Sequence, residues 1–409
     1  MKILHITPTF QHPKVRGSLR HYHFLRLLGP RHRITWLTLE RFPVPQEALD
    51  EMASYTERLY TFPVARGGHN GTGPRFPGLP RRVAQRLALR EAVSQMKRRF
   101  HQLLAEEEFD LVLFHGKDCY SVIDGWRGLP LVVDFCDATS LRVRTQMRYV
   151  APKRLPLLAL RYLEVRRIER GMVASTPHLA FISHRDREAI LGPGSQAAVI
   201  PNGIDLAYWR RRSRQPRPNT LIFTGVMNYA PNEDAALVLI DQVLPLLRER
   251  VPGLEIVIAG RDPTPALRER AQRHPEVRVT GFVDDLRDAI EGASLFVAPL
   301  RYASGMQNKI QEALAMEIPV VTTSIVADGI RVHPDETPPL VVADDPAAIA
   351  QAVVALLARP EEQQRLAQEG RAYAERHFDW ERSARQLEVL CQAAVGQGVD
   401  ALDQPVHKL

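Results

Sequence analysis

Short apolar runs alternate along this chain with longer segments in which apolar residues recur at helical spacing, and the alternation holds in both halves. Runs of this length predict strands buried on both faces, the mark of a parallel sheet whose connecting helices cover it above and below. In the first half the pattern predicts strands at 2–7, 33–39, 111–115, 131–135, 179–183 and 197–201, with helices near 18–29, 81–108 and 155–175. The second half begins again, with strands at 221–225, 255–260, 277–281, 295–300, 318–323 and 340–343. Helical spacing recurs there near 233–250, 264–273, 284–292, 307–316, 346–357 and 361–376. The fold class this predicts is α/β: two doubly wound, Rossmann-like domains facing each other across a cleft.

The punctuation between the runs sets the boundaries. Residues 1–204 form the first domain, and 205–220, polar, basic and carrying prolines at 216 and 218, read as a linker. Residues 221–378 form the second domain, and 379–409 are expected to hold a C-terminal helix that returns to the first. A Gly- and Pro-rich stretch at 65–80 reads as a surface insertion. Its glycines match neither a Walker pattern nor a GxGxxG turn, so it is not a phosphate loop.

Composition narrows the class. With 409 residues, 45% hydrophobic and 25% charged, the chain is neither fibrous nor wholly disordered, and it is long enough for two cores. Three cysteines without metal-ligand or redox spacing argue against a zinc site or a disulfide framework and for a reducing, cytoplasmic compartment. No signal-peptide core and no apolar run of ~20 residues is present, so any membrane contact is expected to be peripheral, at the inner face. The net charge of +7 hides an asymmetry: residues 1–217 carry 36 Lys/Arg against 19 Asp/Glu, and the remainder is acidic. A basic half implies an anionic partner. Residues 81–104 offer one candidate, a basic amphipathic helix that reads either as lipid-facing or as a domain cover with a solvated basic face. No aromatic-studded basic motif supports nucleic-acid binding.

The chemistry concentrates in 298–330. A strand ends at Leu300, a loop with Ser304 and Gly305 follows, and a helix begins near Gln307. Strand, small-residue loop and helix start place free N–H groups and the helix dipole against an anion. Lys309 in the first turn opposes that dipole, so its charge suits a bound phosphate; Glu312 lies nearby on the same helix, where an ordinary intrahelical Lys–Glu pair is the competing reading. Asp284–Asp285 and Ser183 with Asp186 read as helix starts rather than as a metal motif or a nucleophile site.

These stretches, with FDLVLFH (109–115), VVDFCDATS (132–140), ISHRDREAI (182–190), VIPNGIDLAYW (199–209), TGVMNYAPNEDA (224–235) and SGMQNKIQEALAM (304–316), resemble retaining GT-B glycosyltransferases of the family-4 type. The likeness is greatest to exopolysaccharide sugar transferases associated with exosortase systems. It implies transfer of a sugar from a nucleotide-diphosphate sugar to a saccharide or lipid-linked acceptor, without metal or other cofactor. In that family's pattern Glu312 matches the glutamate that holds the nucleotide ribose. Ser304 stands where a sugar-binding glutamate is usual, and the usual Arg and Lys pair on the diphosphate is missing from GVMNYAPNEDA. Lys309 is therefore expected to supply that charge, with Arg301 and Arg261 as helpers and Gly225, Gly305 and Asn308 completing the donor site. In the acceptor-side first domain, Gly17 matches a phosphate-approaching glycine, with Arg16 or Arg20 adding charge, and Asp137 and His115 end strands at the cleft. Asp137 is expected to orient the acceptor hydroxyl or take its proton. An epimerase or hydrolase of the same architecture, or a non-catalytic nucleotide-sugar sensor, are the competing functions.

Overall fold

The computed structural model describes residues 1–15, 19–64, 80–212 and 216–396. Gly17, Arg16 and the 65–79 part of the expected insertion lie outside them.

The described residues form two parallel sheets. The first runs in the order β3-β2-β1-β4-β5-β6-β7, with β1 Lys2–Thr7, β2 Arg33–Glu40, β3 Arg58–Pro63, β4 Leu111–His115, β5 Leu131–Phe135, β6 Leu179–Phe181 and β7 Ala198–Val199. The second runs β10-β9-β8-β11-β12-β13, with β8 Thr220–Thr224, β9 Glu255–Ala259, β10 Val277–Gly281, β11 Leu295–Ala298, β12 Val320–Thr322 and β13 Val341–Val342. Strand order reverses between β1 and β4 in one sheet and between β8 and β11 in the other. A doubly wound sheet opens a crevice at the carboxyl ends of such strands, and both crevices face the same cleft.

The central strands are buried because their residues are apolar on both faces; β4 and β5 are buried throughout. On one face of the first sheet the Arg81–Glu106 helix packs Ala92, Val93, Met96, Phe100 and Leu103 into the core. Its apolar stripe is thus spent on the sheet, which removes the lipid-facing reading of that helix. On the other face the Trp380–Gly396 helix inserts Trp380, Ala384, Leu387 and Cys391 among Ile3, Phe24 and Trp36. The Trp380–Gly396 helix therefore completes the core of the first domain. A single cluster fills the second domain.

The stretch read as a linker is laid along the second domain. Ile204, Leu206 and Trp209 pack on its core, Arg211 donates to the carbonyls of Glu291 and Glu317, and Arg212 pairs with Asp285, Asp288 and Glu291. Arg217 likewise pairs with Glu255, and the chain crosses where Ile204 N donates to Phe378 O, 2.9 Å away.

Candidate functional site

In the second domain the chain leaves β8 at Gly225. A Cβ there would stand 2.6 Å from Asn232 Nδ2 and 3.2 Å from Lys309 Nζ, so the absence of a side chain lets these groups converge. Lys309 Nζ donates to Asn232 Oδ1 and lies 4.8 Å from the centre of the Phe223 ring. It forms no ion pair with Glu312 among the described residues, so the intrahelical pair is not the arrangement adopted, and the Glu312 carboxylate accepts no hydrogen bond there. Burial pushes Lys309 down and Glu312 up, each partly held back by the other's charge. The Asn308–Ala315 helix carries no acid in its first turn and no side-chain cap, which leaves its positive end uncompensated. Arg261 follows β9, and its carbonyl accepts from Met227 N at 2.9 Å, placing its main chain against the Gly225 turn. Arg301, expected to help, is committed to Asp234 through Nε at 2.9 Å and a second contact from Nη2.

Across the cleft the ends of β4 and β5 border a cavity of about 180 Å³, lined in part by His115, Lys117, Cys136, Asp137 and Glu169. Asp137 accepts from Thr139 Oγ1 at 2.8 Å and from Ser304 Oγ at 3.2 Å. Burial pushes its carboxyl up, but Lys117, Arg142 and these two hydroxyls outweigh it and hold the group below the ordinary range. His115 is buried, with Nδ1 3.4 Å from Asp134 Oδ2 and 3.7 Å from Cys136 Sγ. Burial disfavours its charge, but Cys136 and Asp134 reverse that and push it up to about 10. Asp134 in turn receives Arg20 as a fork, Nε and Nη2 each at 2.8 Å, and Arg20 Nη1 donates to Ile200 O and Asn202 Oδ1. Arg20 is completely buried in this network, so it braces the β5 edge and is not presented to a phosphate.

Asp186, read in the sequence only as part of a helix start, and Glu169, not singled out there, belong to this edge. Asp186 caps nothing by itself: Ser183 is the cap of the His184–Leu191 helix, and the Asp186 carboxylate accepts from Ala138 N at 2.7 Å and Gly305 N at 2.9 Å, one in each domain. Its Ser-x-x-Asp spacing reads as a capping pair, which hides the second task. Glu169 accepts from Ser140 N at 3.0 Å, its other oxygen is buried without a partner among the described residues, and burial raises its carboxyl.

Between the domains, Arg185 Nη2 donates to Gly305 O at 2.7 Å, Asn202 Nδ2 donates to Asn308 Oδ1 at 3.0 Å, and Gln311 Nε2 donates to Asn202 O at 2.9 Å. Ser304, Gly305 and Asn308 thus bind the first domain, whereas Gly225, Lys309 and Glu312 face the second-domain crevice. His21, His115 and Cys136 offer ligand-type atoms within 4.8 Å of one another. The Arg20 guanidinium, forked on the Asp134 carboxylate that His115 also meets, sets a fixed positive charge beside them. Asp285 accepts from Arg287 N as a helix cap.

Residues 218–359 match the family described as glycosyl transferases group 1. A glycogen synthase of Mycobacterium tuberculosis is 32% identical over 201 residues, 47% of each chain. A phosphatidyl-myo-inositol mannosyltransferase of Mycobacterium leprae is 32% identical over 201 residues, 47% of this chain and 53% of the relative. The chain thus spans about half the length of the curated relatives it matches. Among solved structures, a sucrose-phosphate synthase from Thermosynechococcus elongatus superposes with a TM-score of 0.71 at 16% identity, covering 97% of this chain and all of that one. Anabaena HepE in complex with UDP and glucose gives 0.64 at 13% identity, covering 96% and 100%. These likenesses show the fold, two facing Rossmann-like domains in the GT-B arrangement.

Proposed function

We propose that this chain is a glycosyltransferase that takes a sugar from a nucleotide-diphosphate sugar and places it on a polysaccharide, lipid-linked or similar acceptor. The observation that carries this reading is the meeting of Gly225, Asn232, Lys309 and the uncompensated start of the Asn308–Ala315 helix at the strand-order reversal of the second sheet. One buried ammonium and a helix positive end suit the charge that grows on a leaving nucleoside diphosphate. Glu312, whose carboxylate accepts no hydrogen bond among the described residues, is an acceptor for ribose hydroxyls. The group 1 family match covers this same domain, and UDP is present in the HepE complex.

The first-domain edge supports the retaining type of the resembled family. His115, its charge favoured by Asp134 and Cys136, has no free lone pair to take a proton, and Asp137, held below the ordinary carboxylate range, is a weak base. In transfer, the bond from the anomeric carbon to the phosphate oxygen breaks as the bond to the acceptor oxygen forms, and the acceptor proton passes to the departing phosphate. Asp137 then orients the acceptor hydroxyl, and Lys309 stabilises the phosphate charge.

A thermal-shift panel of UDP-, GDP- and ADP-sugars identifies the donor, since a ligand that binds only the native state raises its melting temperature. Charge-assisted hydrogen bonds contribute ~1.5–3 kcal/mol, so Lys309→Ala and Glu312→Ala are each expected to weaken that nucleotide by about ten- to a hundred-fold. Wild-type transfer rates in both variants would refute the site.

A further inference from the structure

We propose that the Leu155–Ala174 helix, with the arginine-rich turns before it, is a surface that docks on an anionic lipid bilayer. One face of this helix is core: Val165, Glu169 and Met172 are buried. On the opposite face Leu157, Leu160 and Leu163 are 67, 67 and 62% exposed and belong to none of the hydrophobic clusters. At three-residue spacing they make an unpartnered stripe roughly 9 Å long. Single exposed leucines are unremarkable, but three in register on one helix are a surface waiting for an apolar neighbour.

The charge around the stripe selects that neighbour. Arg144, Arg148, Lys153, Arg154, Arg161, Arg167 and Arg170 are all exposed. None of them joins an ion pair among the described residues, whereas Arg212, Arg287 and Arg365 elsewhere are all paired. From Arg142 to Arg170 nine Lys/Arg stand against two Asp/Glu, and one of those two, Glu169, is buried. Apolar side chains ringed by unpaired cations fit acyl chains beneath acidic headgroups. A second copy of this chain fits poorly, because a self-complementary contact would bring the same cations face to face.

The position also suits presentation of an acceptor. The segment leading to the helix starts at Asp137 and Thr139 on the cleft, and Tyr149, between these residues and the helix, stacks on Tyr302 with ring centres 6.3 Å apart and under the Arg301 guanidinium at 4.6 Å. Docking would hold the cleft mouth beside the bilayer. The inference does not rest on the transferase reading, because lipid binding is measured without donor or acceptor.

The test is cosedimentation of the full chain with phosphatidylglycerol-containing vesicles and with pure phosphatidylcholine vesicles at low and high salt. The wild type is expected to bind the anionic vesicles and to be released by salt. The combined Leu157→Ser, Leu160→Ser and Leu163→Ser variant, and separately Arg154→Gln with Arg161→Gln, should each bind about tenfold more weakly or less. Both should keep the wild-type melting temperature, since none of these side chains enters a core. No vesicle binding by the wild type, equal binding to neutral vesicles, or unchanged binding in both variants would overturn the proposal. A wild-type dimer in sedimentation velocity that the leucine variant splits would also overturn it, assigning the face to a second copy.

Discussion

Gly305 is the residue on which the two domains converge. Its φ of +64° lies where a side chain is strained, and a Cβ would come within 2.7 Å of Cys136 O in the other domain. Gly305→Ala is expected to cost about 1–3 kcal/mol and to lower turnover as Ser304 is pulled from Asp137, which melting curves and steady-state rates measure together. Lys309 carries a different signature. Burial pushes it down to about 7, and a bound diphosphate would pull it up again, so binding takes up a proton wherever the free enzyme has lost it. Nucleotide affinity should therefore hold its Lys309 contribution below pH 7 and fall by up to roughly tenfold per unit above it. Calorimetry across that range checks the slope, and Lys309→Arg should flatten it, because guanidinium stays charged. A wild-type affinity flat from pH 7 to 9 would remove Lys309 from the phosphate site.

At the scale of elements, the β5 edge owes its shape to the fork between Arg20 and Asp134, since the carboxylate is held by the Arg20 guanidinium on one side and by His115 Nδ1, 3.4 Å away, on the other. Burial alone would push Asp134 up, but Arg20 and His115 hold it well below the carboxylate range. Removing one partner leaves a buried charge alone, so Arg20→Met should cost ~3–5 kcal/mol, read by urea unfolding, and the double variant with Asp134→Leu should recover part of it. The sequence showed Arg20 only as a cation after a glycine, because a partner 114 residues away leaves no local trace. Strands were legible wherever both faces are apolar, as in LVLFH and LVVDF. β3 was not, because RLYTFP is an edge strand mostly half-buried and mixes polar with apolar residues. The Thr139–Gln146 helix was missed for a related reason: TSLRVRTQ buries only Thr139, Ser140 and Val143 and shows no helical stripe. The small-residue loop was legible as the break between an apolar strand and an amphipathic helix, and Lys309 because it sets a cation at the helix's positive end. Asn232 and Asp186 break no local preference, and only the fold reveals their contacts.

Over the whole molecule the two domains divide the work. Every contact of Lys309 described above, with Asn232, Phe223 and the Gly225 turn, is made within the second domain, and the cavity beside Asp137 lies in the first. What joins them is a short set of polar contacts centred on Asp186, whose carboxylate oxygen serves Ala138 N on one side and Gly305 N on the other. Because the chain also crosses twice near Ile204 and Phe378, losing this link should loosen the pairing without separating the domains. Asp186→Ala strips the acceptor from two buried N–H groups at a cost of about 1–3 kcal/mol each, and part of that is relieved if the Gly305 loop moves away to water. The expected result is a fall in kcat with nucleotide affinity nearly unchanged and a larger radius of gyration in solution scattering. That split separates a positioning role from a purely structural one, which would lower the melting temperature and leave the rate of the folded fraction alone. Should nucleotide affinity fall as far as turnover, the donor must draw a large share of its binding from the first domain, and the assignment of the phosphate cradle to the second domain alone would have to be given up.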